Sequence, residues 1–343
     1  MIYTVTLNPA LDRELRVPSI LLGDVLRASA SRVDPGGKGF NVSRALRGLG
    51  AESVAVGLVG GFAGQQIAAG LREAGIAVDF VQIDGETRTN VTVVGGGEHI
   101  KVNEAGPAVS AAEQLRLVEK VRALARVGDW WVLSGSLPPG ASRDLYAEIV
   151  RIVNDAGARA LLDASGPSLA VGCMAAPYLV KPNAAEAGEL TGLAVDDEAG
   201  ACAAAERIHA MGVAHVVISM GRRGAVLSSG PRAWVATPPS IVERNPIGAG
   251  DSMIAGLVWG LSRGLPIEGA LRWGVASGAA AASLDGTAFG TRAQVEELER
   301  KVELRQVQEL EAEHLVKRRA DAKDGRPGGR AAARRSGLRR DLR

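Results

Sequence analysis

Nearly continuous apolar runs recur along the first two thirds of the chain, at residues 2–7, 53–58, 131–134, 160–163, 178–180 and 215–219. Between them, stretches near 41–49, 65–74, 111–125, 143–154 and 199–211 carry apolar residues at helical spacing. Strands alternating with helices predict a mostly parallel sheet with helices on both faces. Strands that are apolar throughout fit that arrangement, because each is then covered twice.

Two stretches break the rhythm. Residues 14–34 and 88–103 alternate polar and apolar positions, and Gly95-Gly96-Gly97 divides the second of them as a hairpin turn. They predict a small β lid, about 12–34 and 88–104, attached to one edge of the main sheet. Exposed strand edges invite pairing with another chain, so a homodimer through the lid is expected.

Past about residue 310 the pattern changes again. Residues 296–313 read as a charged helix, and 311–343 as a basic tail beyond a main domain of 1–310. Residues 317–343 hold eleven Lys/Arg and three Asp, a local charge of +8, which leaves −6 on the rest of a chain whose total is +2. The body is therefore mildly acidic. The tail reads as a solvated appendage, and no nucleic-acid partner is expected.

With 46% hydrophobic residues, 3% aromatics and 44 glycines in 343 positions, the chain can pack an α/β core with many tight turns. Disorder throughout is excluded, since enough apolar surface is present to offset the entropy of ordering. Cys173 and Cys202 build neither a disulfide framework nor a zinc site. Four scattered histidines (His99, His209, His215 and His314) lack paired metal spacing, which argues against a metallohydrolase. His209 and His215 read as ordinary helix and strand-edge residues. No apolar run approaches a membrane span, and the first residues start directly in a strand-like run, so a cytoplasmic location without a membrane is expected.

The most informative stretch runs from Asn245-Pro246-Ile247 through Gly248-Ala249-Gly250-Asp251. After Asp251, apolar residues at Met253, Ile254, Leu257, Val258 and Leu261 mark a helix. Gly248 to Gly250 would then form a turn whose backbone N–H groups face a bound anion, with glycines allowing close approach. An aspartate at that place repels phosphate unless it has a chemical task. In phosphoryl transfer, that task is to take the proton from the attacking hydroxyl. The alternative is a helix cap that favours the dipole.

Two further corners are polar. Asp34-Pro35-Gly36-Gly37-Lys38-Gly39-Phe40-Asn41 offers glycines, a lysine and an asparagine at a helix start. It is not a Walker A loop, because Gly39 stands where Ser or Thr is required. Nor is 248–253 a dinucleotide fingerprint, because Met253 stands where Gly is needed. The third corner, Lys181-Pro182-Asn183-Ala184-Ala185-Glu186, follows a strand, where open α/β sheets bind ligands. Asn183 and Glu186 could orient waters around Mg²⁺. A structural turn and a capped surface loop remain the alternatives for these two corners.

With Thr4-Val-Thr-Leu-Asn-Pro-Ala-Leu-Asp12, Arg88-Thr-Asn90, Ser134-Gly-Ser-Leu-Pro-Pro-Gly140 and Val217-Ile-Ser-Met-Gly221, these segments resemble the ribokinase-like (PfkB) carbohydrate kinases. The likeness is greatest to their 1-phosphofructokinase branch, and it covers roughly the first 290 residues. It implies a three-layer α/β sandwich with a mostly parallel central sheet and a small β lid. It also implies an ATP- and Mg²⁺-dependent kinase for a phosphosugar, most closely fructose 1-phosphate.

By the same resemblance, Asp12, Gly37, Lys38 and Asn41 contact the sugar, Arg88 and Lys101 bind its phosphate, and Ser136 lies nearby. Lys181, Asn183, Ser219, Gly221 and Gly278 serve the nucleotide, and Glu186 serves the magnesium. Gly248, Ala249 and Gly250 form the anion hole beside the base, Asp251. Many members carry Ser-Thr-Val where this chain has Asn245-Pro246-Ile247, which is more like tagatose-6-phosphate kinases. Tagatose 6-phosphate and fructose 6-phosphate are therefore rival substrates. A non-catalytic sugar-phosphate sensor would lack Asp251 or the glycines, and a nicotinamide oxidoreductase would carry the fingerprint turn missing here.

Overall fold

Each apolar run becomes a strand of one ten-stranded sheet. The structure, a computed structural model, describes residues 1–307 apart from 287. The chain begins β1 (Ile2–Thr6), β2 (Ala10–Arg16), β3 (Ala30–Gly36), α1 (Lys38–Gly48), β4 (Val54–Val59), α2 (Gly61–Glu73) and β5 (Ala77–Gln82). It continues with β6 (Arg88–Gly95), β7 (Glu98–Val102), α3 (Ala111–Leu124), β8 (Trp130–Ser134), α4 (Leu145–Asp155), β9 (Arg159–Asp163) and α5 (Gly166–Cys173). Then follow β10 (Leu179–Val180), α6 (Ala184–Thr191), α7 (Glu198–His209), β11 (His215–Ser219), β12 (Ala225–Ser229) and β13 (Arg232–Thr237). The last elements are α8 (Ala249–Ser262), α9 (Ile267–Ala282), α10 (Arg292–Glu299) and β14 (Glu303–Val307).

The large sheet runs β14-β13-β12-β11-β10-β9-β8-β1-β4-β5. From β11 to β5 every pairing is parallel, and β12 and β13 add an antiparallel edge. The lid is a separate four-stranded sheet in the order β3-β2-β6-β7. Its β6–β7 hairpin turns at Gly96 and Gly97, whose φ values of 62° and 83° are the left-handed pair such a turn needs. The lid strands reach further than the alternation suggested, since β2 begins at Ala10 and β3 ends at Gly36. Parallel pairing of β2 with β6 sets Asp12 opposite Asn90.

The charged helix expected over 296–313 is corrected: α10 stops at Glu299, and β14 takes over at Glu303. Burial of Val302 in the main core draws the chain out of the helix, and the half-buried Leu304 and Val307 then hold a sheet edge. One compact unit spans Met1–Gln306. The basic tail expected over 311–343, with His314, lies outside the described residues. Among the described residues, no helix is long and apolar enough to cross a membrane.

The apolar spacing after Asp251 marks α8, which is buried nearly all round, whereas α9 carried no such mark in the sequence. Glycines bring the two together. A Cβ on Gly256 would stand 2.4 Å from the Trp273 carbonyl oxygen, and one on Gly274 would stand 2.8 Å from Leu257. Gly278 packs against Ala249, at the first turn of α8. This contact fixes where α8 begins, and with it the site. Gly256→Ala should cost about 1–3 kcal/mol through overpacking, read as a lower denaturation midpoint. An unchanged midpoint would show that the helices can part without loss.

His209 and His215 sit in the scaffold, as expected. His209 Nε2 lies 2.9 Å from Ser228 Oγ, and His215 Nδ1 lies 2.8 Å from Ser229 Oγ.

Candidate active site

Parallel strands β1, β8, β9, β10 and β11 end on one edge of the sheet, where α/β folds bind ligands. Their ends deliver Asn8, Ser136, Asp163, Lys181 and Ser219 to that edge. The start of α8 completes it. Gly248 has φ 85°, in the left-handed region, and caps α8 without any side-chain bond. The helix starts at Ala249, earlier than the apolar spacing implied, so Asp251 is its third residue. Ala249 donates to the Pro246 carbonyl and Ser252 to that of Gly248. The N–H groups of Gly250 and Asp251 thus have no partner within the helix and point out of its positive end.

Asp251 does not cap its own helix. Its Oδ2 accepts from Asn41 Nδ2 at 2.8 Å, from one turn inside α1. Burial of the carboxylate, with the nearby Asp163 adding to it, pushes its pKa up to about 6. Asn41, Lys38 and Lys181 pull the other way without cancelling the rise. Such a group is ionised at neutral pH but takes a proton far more readily than an exposed aspartate.

Two ammonium groups converge beside it. Lys181 Nζ lies 3.2 Å from Asp163 Oδ1, and the half-buried Lys38 approaches the same oxygen at 3.8 Å. Asp163 holds the Lys38 pKa up against the opposing effect of burial. Lys181 Nζ also lies 3.7 Å from where a Cβ on Gly250 would stand, so it reaches the mouth of α8. Gly39 lets α1 approach β1, where a Cβ would sit 2.6 Å from Thr6 Oγ1. Thr6 Oγ1 in turn accepts from the Phe40 N–H and fixes the Gly37-Lys38 turn.

On the lid side, Asp12 Oδ1 accepts from Asn90 Nδ2 at 2.8 Å, and burial raises its pKa. Lys101, exposed on β7, is close enough to favour its ionised form. Arg88 donates to the carbonyls of Asn8, Pro9 and Glu104, at 2.9, 3.3 and 2.8 Å. Three of the guanidinium's five N–H groups are therefore engaged, two of them tying the lid to the segment after β1 and one to the segment after β7. Asn8 continues the connection, donating to Ser136 Oγ at 3.4 Å.

The loop after β10 is a capping box: Asn183 Oδ1 accepts from the Glu186 N–H, and Glu186 Oε2 accepts from the Asn183 N–H. Asn183 is thus engaged in a cap, while Glu186 keeps its second carboxylate oxygen outside the box. Ser219 bridges to Asn183 and donates to the Pro182 carbonyl, and Gly221 starts the turn that follows. Gly278 lies against Ala249, at the first turn of α8.

The sequence reading missed Asn8, Asn90 and Asp163. Asp163 carried a usable signal, a carboxylate closing an otherwise apolar strand at the ligand-binding edge. Asn8 and Asn90 stood inside motifs without marking themselves out.

Residues 7–294 match the pfkB family carbohydrate kinases. The 1-phosphofructokinase of Bacillus subtilis is 39% identical over 282 residues, covering 82% of this chain and 92% of that protein. The 1-phosphofructokinase of Escherichia coli K12 is 33% identical over 308 residues, covering 88% and 97%. Among solved structures, phosphofructokinase-2 from E. coli in complex with potassium superposes with a TM-score of 0.84 at 30% identity, covering 88% and 98%. Another structure of phosphofructokinase-2 from E. coli is described as its tetrameric inhibited form, with a TM-score of 0.82 at 30% identity and the same coverage.

Proposed function

The chain belongs to the pfkB family of carbohydrate kinases, and on that premise we propose that it phosphorylates fructose 1-phosphate to the 1,6-bisphosphate with ATP. The observation that carries the reading is Asp251, buried at the open end of α8, held by Asn41 and flanked by Lys38 and Lys181. The 6-hydroxyl gives its proton to the Asp251 carboxylate as its oxygen forms the new bond to the γ-phosphorus and the bond to ADP breaks. The bare N–H groups of Gly250 and Asp251, with Gly248 and Ala249 shaping the turn, face the charge on the phosphoryl group in flight.

Asp12, Gly37, Lys38, Asn41 and Ser136 hold the sugar. Arg88 uses its two remaining donors on the sugar phosphate, with Lys101 beside it. Lys181, Asn183, Ser219, Gly221 and Gly278 line the nucleotide side. Glu186 would hold Mg²⁺ through the carboxylate oxygen left outside its capping box, which fits an ion that keeps most of its waters. When bound, Mg²⁺ neutralises phosphate charge.

We place the enzyme in the cytoplasm and as a homodimer joined through the lid. The apolar side chains Leu22, Val25, Val33 and Ile100 are exposed on or beside that sheet. The test of substrate is one coupled assay with fructose 1-phosphate, fructose 6-phosphate and tagatose 6-phosphate. Hydroxyl contacts of the kind Asp12 and Asn41 offer discriminate strongly. The expected result is kcat/KM at least about tenfold higher for fructose 1-phosphate, roughly 1.4 kcal/mol of transition-state binding. A better 6-phosphate would leave the kinase and overturn the sugar.

A further inference from the structure

Asp163 has no role in the reading above, yet it is the most enclosed charge in the site, at 2% exposure. Its Oδ1 lies 3.2 Å from Lys181 Nζ and 3.8 Å from Lys38 Nζ, but neither ammonium is aligned as a hydrogen-bond donor to it. An ionised carboxylate that deep is costly unless cations compensate it, and here two share the task. The two lysines come from opposite sides. Lys38 opens α1 on the side assigned to the sugar, and Lys181 leaves β10 on the side assigned to the nucleotide.

We propose that Asp163 is a positioning residue, a shared anchor that holds Lys38 and Lys181 in place so that the two half-sites meet across the mouth of α8. The proposal rests on the assignment of those two lysines to separate substrates. Without the anchor, two like charges this close would repel one another and swing away on long flexible side chains. With it, each cation stands where an incoming phosphate meets it already ordered. Asp163 itself touches neither substrate, and its effect on binding them passes through the lysines.

The test is a mutant cycle read through both KM values. Lys38→Met should raise KM for the phosphosugar and Lys181→Met that for ATP. If either lysine instead moves the other KM or none, the assignment falls, whatever Asp163 does. Asp163→Asn should raise both KM values, by about tenfold each, because it releases both cations at once. Added to the Lys38→Met/Lys181→Met double variant, Asp163→Asn should cost no more than about twofold further in kcat/KM, since nothing is left to anchor. That triple variant should also melt higher than the double, having shed an uncompensated buried charge.

The triple-against-double comparison stands even if Asp163→Asn alone fails to fold. A further tenfold loss in the triple variant would overturn the proposal and give Asp163 a function of its own. Recovery of Asp163→Asn by raised Mg²⁺ alone would overturn it equally, by assigning the carboxylate to the ion.

Discussion

Replacing Asp251 with Asn should lower kcat by about two to four orders of magnitude, the range expected for loss of a general base. The side chain keeps its shape and its contact with Asn41, so KM for ATP should change little. The same variant should be the more stable protein at neutral pH. Burial and Asp163 raise the Asp251 pKa from an ordinary 3.8 to about 6 in the folded state. The folded chain therefore binds that proton more tightly than the unfolded chain does. Its contribution to stability is complete below about pH 4 and is lost as pH rises through about 6. Above that pH the wild type carries a buried negative charge that Asn lacks. Melting temperatures at pH 8 should favour Asp251→Asn, with the gap closing toward pH 4. Near-wild-type turnover would sink the base assignment, and a variant destabilised at pH 8 would show that the lysines more than offset the burial.

Much of this arrangement was legible in the sequence because it is written locally. The Gly248-Ala249-Gly250-Asp251 turn declares a helix start beside a carboxylate, and the apolar strands declare a parallel sheet whose carboxyl ends gather ligands. What was hidden depends on distance in the chain. The partner of Asp251 is Asn41, 210 residues earlier, and no pattern in either segment announces the bond. Asp163 acquires its meaning only when β9 and β10 lie side by side and α1 folds over them.

Arg88 shows the converse. Its motif signals a charged contact to a ligand, whereas three of its hydrogen bonds go to backbone carbonyls, two of which tie the lid to the segment after β1. Backbone acceptors leave no mark on side-chain pattern. Helix α9 went unmarked for a related reason, since a helix buried over most of its length has little polar face to set its phase. The end of α10 was misread because charge suggested helix, while one buried valine decided the path.

Lys38→Met tests how the site's charges act together, and its effect should depend on pH. The ammonium meets the phosphosugar in the proposed reading. Removing a charge-assisted hydrogen bond of that kind costs about 1.5–3 kcal/mol, or roughly one to two orders of magnitude in kcat/KM. A second effect adds to the first. Lys38 is one of the groups that hold the Asp251 pKa down, against burial and Asp163. Its removal also strips Asp163 of one of its two cations, so more of that carboxylate's charge falls on Asp251. Both changes favour the protonated, inactive form of the base. The acidic limb of kcat/KM, set in the free enzyme by Asp251 near pH 6, should therefore move to higher pH in Lys38→Met. The deficit against wild type should be larger at pH 6 than at pH 8.5, where the base is ionised in both proteins. A deficit of constant size from pH 5 to 8.5 would mean that Lys38 serves the sugar alone and that the charge around Asp251 is set by other groups.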